Sequence, residues 1–174
     1  MTPPVDDPGV THAPVVDEAV VGDQPLVGHP TSVVVRFGGA RYAVAMSAVA
    51  EVIPVPAITR VPGVTSWLAG VVNWRGRVLP VIDPRSLLGE ELTPLPSSSR
   101  LLVLSLDGVE VGIMAEAVTG LLDSGDVQPE PSPATSPASA TALVLGTVSD
   151  AAGPLSLLDP AALLALRSQL GTGR

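Results

Sequence analysis

The chain has 174 residues, a formal net charge of −8 and 46% apolar residues, enough for one domain with a sizeable buried core. It has no cysteine and only two histidines, His12 and His29, which excludes disulfides, thiolate catalysis and cysteine-containing metal sites and leaves everything after residue 30 without an imidazole. All nine basic residues are arginine, and the acidic balance disfavours nucleic acid and anionic lipid, which are held mainly through Lys and Arg.

Residues 1–30 are rich in Pro, Val, Asp and Gly and carry Asp6, Asp7, Asp17, Glu18 and Asp23 with no base. Without a sustained period, they predict a disordered acidic tail. The opening MTPPVDDPG has no basic start followed by an apolar run, so it is not a secretory signal. No run of 18 apolar residues predicts a transmembrane helix, and a soluble cytoplasmic protein without membrane insertion is expected. Phe37, Tyr42, Trp67 and Trp74 are the only aromatics, so the core must come from Val, Leu, Ile and Ala. The weight of valine favours strands, because β-branched side chains suit a pleated surface.

Gly38–Gly39 lies between apolar runs and predicts a tight hairpin turn, with strands near Arg41–Met46, Gly70–Trp74 and Arg77–Ile82. Asp83–Pro84 predicts a helix start, Asp as N-cap and Pro at the first helical position. Asp107–Gly108 is a second hairpin signal, followed by strands near Val109–Ala115, Leu143–Val148 and Pro154–Leu158. Between them QPEPSPATSPASAT (128–141) reads as a flexible surface loop, since Pro blocks regular pairing. Asp159–Pro160 opens a C-terminal helix over AALLALRSQL, stopped by Gly171. The charge is uneven: residues 31–100 carry seven arginines against four acids, and residues 101–174 carry two against eight, an asymmetry that can orient protein partners.

The chain repeats itself. At an offset of 69, VVRFGGARYAVAMSAVAEVI (34–53) matches VLSLDGVEVGIMAEAVTGLL (103–122), with Phe37 on Leu106, Gly39 on Gly108, Val49 on Val118 and Ile53 on Leu122. At an offset of 76, Gly70 falls on Gly146, Val72 on Val148, Leu79 on Leu155 and Asp83–Pro84 on Asp159–Pro160. The seven extra residues belong to the Pro/Ser/Thr loop. Two copies of about 70 residues are each small for an independent core, so two similar lobes sharing apolar surface are expected, over about 31–100 and 101–170, with exchange of strands between them open. Short strands punctuated by Gly and Pro suggest small barrels.

Function should lie where the copies differ. Asn73-Trp74-Arg75-Gly76 stands against Ser149-Asp150-Ala151-Ala152. A turn needs Asn and Gly, but not Arg75, whose planar fork of donors reads carboxylates; the plain alternative is a solvated turn arginine. Trp74 is expected to pack against a lobe. Glu51 lies in AVAEVI where the second copy has Gly120, so either a partner contact or an exposed strand position explains it. Val49, Val52 and Ile53 fit the core, and some of them fit a groove between lobes. Asp83 and Asp159 are better explained as caps than as a catalytic pair. The chain contains no GxxxxGK, GxGxxG, GxSxG or HExxH, and Ser97–Ser99 have no histidine or lysine in the body to activate them. Enzymes, a barrel hydrolase included, and an SH3-like nucleic-acid binder are thereby disfavoured; neither cofactor nor metal is expected.

GVVNWRGRVLPVIDPRSLLG (70–89) resembles the chemotaxis coupling-protein (CheW) family, whose hallmark is Gly-Val-(Ile/Val)-Asn-Leu-Arg-Gly and then Pro-Val-(Ile/Val)-Asp-Leu-Arg. Trp74 replaces the usual Leu, and Pro84 the Leu before Arg85. FGGARYAVAMSAVAEVI, VPGVTSWLAG, LDGVEVGIMAEAVTGLL and GPLSLLDPAALL resemble further family segments in the same order, over about residues 31–167, while Ala48 and Ala50 stand where the family often has longer polar groups. The resemblance implies an all-β fold of two SH3-like five-stranded β-barrel lobes with pseudo-twofold symmetry and short helices. It implies a non-enzymatic adaptor coupling the cytoplasmic tip of methyl-accepting chemoreceptors to the regulatory domain of a CheA-type histidine kinase, recruited to the inner face of the membrane through receptors. The alternative is a CheW-like scaffold in a non-flagellar sensory pathway of pili, gliding or gene regulation. By position, Val49, Glu51 and Arg75 would face the receptor, with Asn73 and Gly76 shaping the turn.

Overall fold

The computed structural model describes residues 31–123 and 142–170; the tail (1–30), the Pro/Ser/Thr loop (128–141) and Gly171 lie outside them. Ten strands run along the chain: β1 (Thr31–Phe37), β2 (Ala40–Ala45), β3 (Val49–Pro54), β4 (Leu68–Trp74), β5 (Arg77–Ile82), β6 (Arg100–Leu106), β7 (Val109–Ala115), β8 (Ala117–Asp123), β9 (Val144–Asp150) and β10 (Gly153–Leu158). A one-turn helix, α1 (Arg85–Leu88), follows β5, and α2 (Pro160–Gln169) follows β10. Met46, expected at the end of a strand, begins a 3₁₀ turn instead (Met46–Ala48).

The sequence repeat translates into strands. Displaced by 69, β1 becomes Arg100–Leu106, which is β6; displaced by 76, β4 and β5 become Val144–Asp150 and Gly153–Leu158, which are β9 and β10. The copies do not fold separately. One five-stranded sheet has the order β8-β1-β2-β10-β9, the other β3-β6-β7-β5-β4. Each joins the first two strands of one copy to the last three of the other. The antiparallel hairpins β1–β2 and β6–β7 each receive the last strand of the other copy in parallel, Ser156 opposite Tyr42 and Val81 opposite Gly112. The result is two barrel-like lobes of equivalent topology.

Alternation along the strands shows where the core lies. In β6, Leu102 and Leu104 join Val33, Val35, Phe37 and Val44 of the other sheet in a shared cluster between lobes, which α2 closes with Leu163, Leu164 and Leu166. The opposite face, Leu101 and Val103, enters a second cluster inside its own lobe with Val72, Trp74, Leu79, Val81 and Met114. With both faces covered, the strand reads as an unbroken apolar run. Burial of this kind is worth about 25 cal/mol per Å² of apolar surface, and the shared cluster therefore makes each lobe depend on the other.

Helix α2 starts as its sequence predicts: the Asp159 carboxylate accepts from the Ala161 amide at 2.9 Å, with Pro160 at the first position. Asp83 only half repeats this. It accepts from the Arg85 amide at 3.2 Å, but the Arg85 guanidinium also grips it, Nε to Oδ1 at 2.9 Å and Nη2 to Oδ2 at 2.7 Å. Gly89, at φ 77°, ends α1 after one turn.

Candidate partner-binding site

The turn between β4 and β5 has two central residues, Arg75 at φ 52° and Gly76 at φ 77°. Positive φ at both positions is the mirror-image turn that matches strand twist. Asn73 Oδ1 accepts from the Gly76 amide at 2.9 Å and fixes the loop. Glycine is at ease in this conformation, whereas Arg75 stores backbone strain there.

The strain places a guanidinium where side chains of a neighbouring strand can hold it. Glu51 Oε2 on β3 accepts from Trp74 Nε1 at 2.8 Å and from Arg75 Nη2 at 3.1 Å. The Arg75 guanidinium carbon lies 4.8 Å from the centre of the Trp74 ring, within cation–π range. Trp74 itself is buried in the lobe core, as expected, while the Arg75 side chain is 67% exposed. One carboxylate and one indole therefore orient a cation that still faces solvent. An exposed ion pair of this kind contributes little stability; its effect is to restrict where the fork points.

The contact also spans the open side of the lobe, since β3 and β4 are the two edges of their sheet. Thr59 helps close that gap through two 2.9 Å backbone hydrogen bonds with Val71. Gly70, at φ 145°, makes the approach possible: a Cβ there would stand 2.3 Å from the Thr59 carbonyl oxygen.

Glu51, Asn73, Arg75 and Gly76 are thus gathered at one end of the lobe. Val49 is set apart. A bulge between Val49 and Glu51 shifts the register of β3, and the half-buried Val49 packs against the shared core. The second copy carries no such cation. At the position of Glu51 it has exposed Gly120, and at the position of Trp74 it has Asp150. Asp150 Oδ1 accepts from Arg41 Nη1 at 2.8 Å and from the Ala152 amide at 2.8 Å. The hydrogen bond from Arg41, with the nearby amides, holds the Asp150 carboxyl at about 2, below its ordinary 3.8. The second turn thus holds a carboxylate paired with Arg41 where the first presents a cation.

Two features escape sequence reading. The first is the indole hydrogen bond that anchors Glu51, which no local spacing encodes. The second is an ionic cluster around the buried Glu116 and Arg85. Glu116 Oε1 accepts from the Gly38 amide at 2.9 Å and lies 3.6 Å from Arg85 Nη1, while its Oε2 lies 3.8 Å from Arg36 Nε. Arg85 also donates to the Thr93 carbonyl at 2.6 Å. Its pKa is raised, first by the hydrogen bond to Asp83. The only signal was weak: Glu116 and Arg85 are charges inside otherwise apolar runs. Among the described residues no group of three or more His, Cys, Asp or Glu is arranged to hold a metal ion, and no helix is long and apolar enough to cross a membrane.

Two strand-exchanged copies of a five-stranded lobe, one of them presenting an oriented arginine on a hairpin turn, define a duplicated all-β module. The CheW-like domain family matches residues 31–168, and the chain belongs to that family. Protein PilI of Pseudomonas aeruginosa is 41% identical over 86 residues, 49% of this chain and 48% of that protein. Chemotaxis protein CheW of Bacillus subtilis is 29% identical, over 58% of this chain and 65% of that protein. Protein FrzA of Myxococcus xanthus is 32% identical over 55% and 61%. The matches thus span about half to two thirds of these relatives. The scaffolding protein TtCheW from Thermoanaerobacter tengcongensis shares the fold, with a TM-score of 0.67 at 23% identity, over 75% of this chain and 88% of that one.

Proposed function

We propose that this CheW-like scaffold is a non-enzymatic adaptor that couples the cytoplasmic tip of a methyl-accepting chemoreceptor to the regulatory domain of a CheA-type histidine kinase. The observation that carries the reading is the exposed Arg75 guanidinium, aimed by Glu51 and Trp74. A preset fork lowers the entropy cost of gripping a partner carboxylate bidentately. Asn73 and Gly76 set the turn that presents it, and in this reading Val49 faces the receptor together with Glu51 and Arg75. In this reading the protein works in the cytoplasm and is drawn to the inner face of the membrane by the receptor.

Replacing the fork with a carboxylate tests this. Arg75→Glu should abolish binding to a receptor signalling fragment in titration calorimetry, while the thermal midpoint stays within about 1 °C, because exposed ion pairs add little to stability. Unchanged affinity in a folded variant would remove the basis of the proposal.

The 41% identity to PilI, with FrzA beside it, favours a second reading: the same scaffold in a pilus, gliding or gene-regulatory pathway rather than flagellar taxis. Titrating the protein against receptor and kinase fragments from each type of pathway separates the two, the pathway with the tighter pair being the physiological one.

A further inference from the structure

At the end of β4 away from Arg75, the segments flanking Thr59 and Thr93 enclose a groove of about 820 Å³. Half-buried Ile58 and Leu95 lie among its lining residues, with exposed Val61, Val64 and Leu92, the last 58% exposed. Arg60 stands at the same groove. The other arginines of the described residues are all engaged: Arg75 with Glu51, Arg77 with Glu110, Arg41 with Asp150, Arg85 with Asp83, and Arg36 with Glu116. Arg100 and Arg167 donate to backbone carbonyls. Arg60 has no such partner among these residues. A groove of mixed lining, where exposed valines stand beside one unpaired cation and the Asp83 and Arg85 charges satisfy each other, is complementary to a segment that combines valines with carboxylates.

The chain contains such a segment. VVDEAVVGD (15–23) has four valines and three acids, and residues 1–30 carry no base. We infer that this acidic stretch of the chain's own N-terminus docks in the groove beside Arg60, its valines against Val61, Val64 and Leu92. The lengths involved are comparable. The tail joins the fold at Thr31, and Arg36, five residues along β1, lies in the ionic cluster that contains Arg85, itself a groove-lining residue. Five strand residues cover roughly 17 Å, and the seven residues between Asp23 and Thr31 span up to about 25 Å when extended.

Because the protein has no cysteine, a single introduced one can carry a nitroxide label. With the label on Gly22→Cys in the full chain, amide resonances of Arg60, Val61, Val64 and Leu92 should lose intensity while those of β9 keep theirs. Arg60→Glu should abolish the loss, and Asp17→Arg, Glu18→Arg and Asp23→Arg added together to that variant should restore it. Salt of about 1 M, where the Debye length is about 3 Å, should weaken it. Unbroadened groove amides, broadening centred on Arg75 and Arg77, or an Arg60→Glu chain that stays folded and still shows the effect would each overturn the inference. So would broadening in a mixture of labelled unenriched and unlabelled isotope-enriched chains, which would mean that a second copy supplies the segment. The adaptor reading is judged separately, by the Arg75→Glu titration.

Discussion

At Arg75 the backbone pays in strain for a side chain the fold does not need. A non-glycine residue in the left-handed region costs roughly 1–2 kcal/mol, and Arg75 sits there at φ 52°. Its exposed contacts with Glu51 and Trp74 recover only part of that. Arg75→Gly should therefore leave the midpoint of urea unfolding unchanged or raise it, while receptor binding falls. A clear drop in stability with affinity retained would make the residue structural. The sequence pointed to Arg75 and Glu51 because the second copy has Ala151 and Gly120 in their places. It did not reveal that Trp74 joins them, since indole donors find partners across the sheet edge rather than along the chain. Tyr42 offers a second test at this scale. Burial first, and then the 2.6 Å hydrogen bond to Glu90, push its pKa well above the ordinary 10.0. A group whose pKa is raised by folding contributes stability that is complete below its unfolded pKa and is lost as pH climbs above it. As the only tyrosine, it should show no tyrosinate absorbance in the folded protein near pH 11, and the signal should appear together with alkaline unfolding. Ionisation near pH 10 with the fold intact would show that the hydroxyl is not enclosed.

Among the elements, β3 and β4 are the pair on which the presentation of Arg75 depends. They do not pair with each other as strands, and side chains together with the Thr59–Val71 bridge close the gap between them. Gly70 allows that closure, because its missing Cβ leaves room for the Thr59 carbonyl. Gly70→Ala should cost about 1–3 kcal/mol, since it combines the clash with a backbone angle that L side chains rarely adopt, and it should loosen the Glu51–Arg75 end of the lobe as well. Unfolding midpoints and the protection of the Val71 amide against exchange would show both effects; loss of neither would mean the bridge is dispensable. The strands from Gly70 to Ile82 and from Val109 to Ala115 were legible because alternation and glycine turns fix them locally. Asp83–Pro84 and Asp159–Pro160 both read as helix starts, yet α1 is only one turn long. Both begin Asp-Pro, but Gly89 follows α1 at once, whereas AALLALRSQ carries α2 onward.

For the whole molecule, the duplication was legible as two offsets, whereas the choice of partner for each strand was not. A repeat fixes which strands are alike, and pairing is set by the shared cluster that only the assembled sheets create. Two halves of the chain, cut between Gly89 and Arg100, should each be unstructured alone by circular dichroism and should recover β signal when mixed, because each sheet needs strands from both. A half that folds unaided would contradict that dependence. The same crossing of strands sets a schedule for synthesis. As the chain leaves the ribosome, β1 and β2 must wait with an open edge until β10, more than a hundred residues later, has emerged to lie beside β2. A nascent chain in a crowded polysome could meet β10 of a neighbour first, so the fold carries in its topology a built-in route to interlocked pairs.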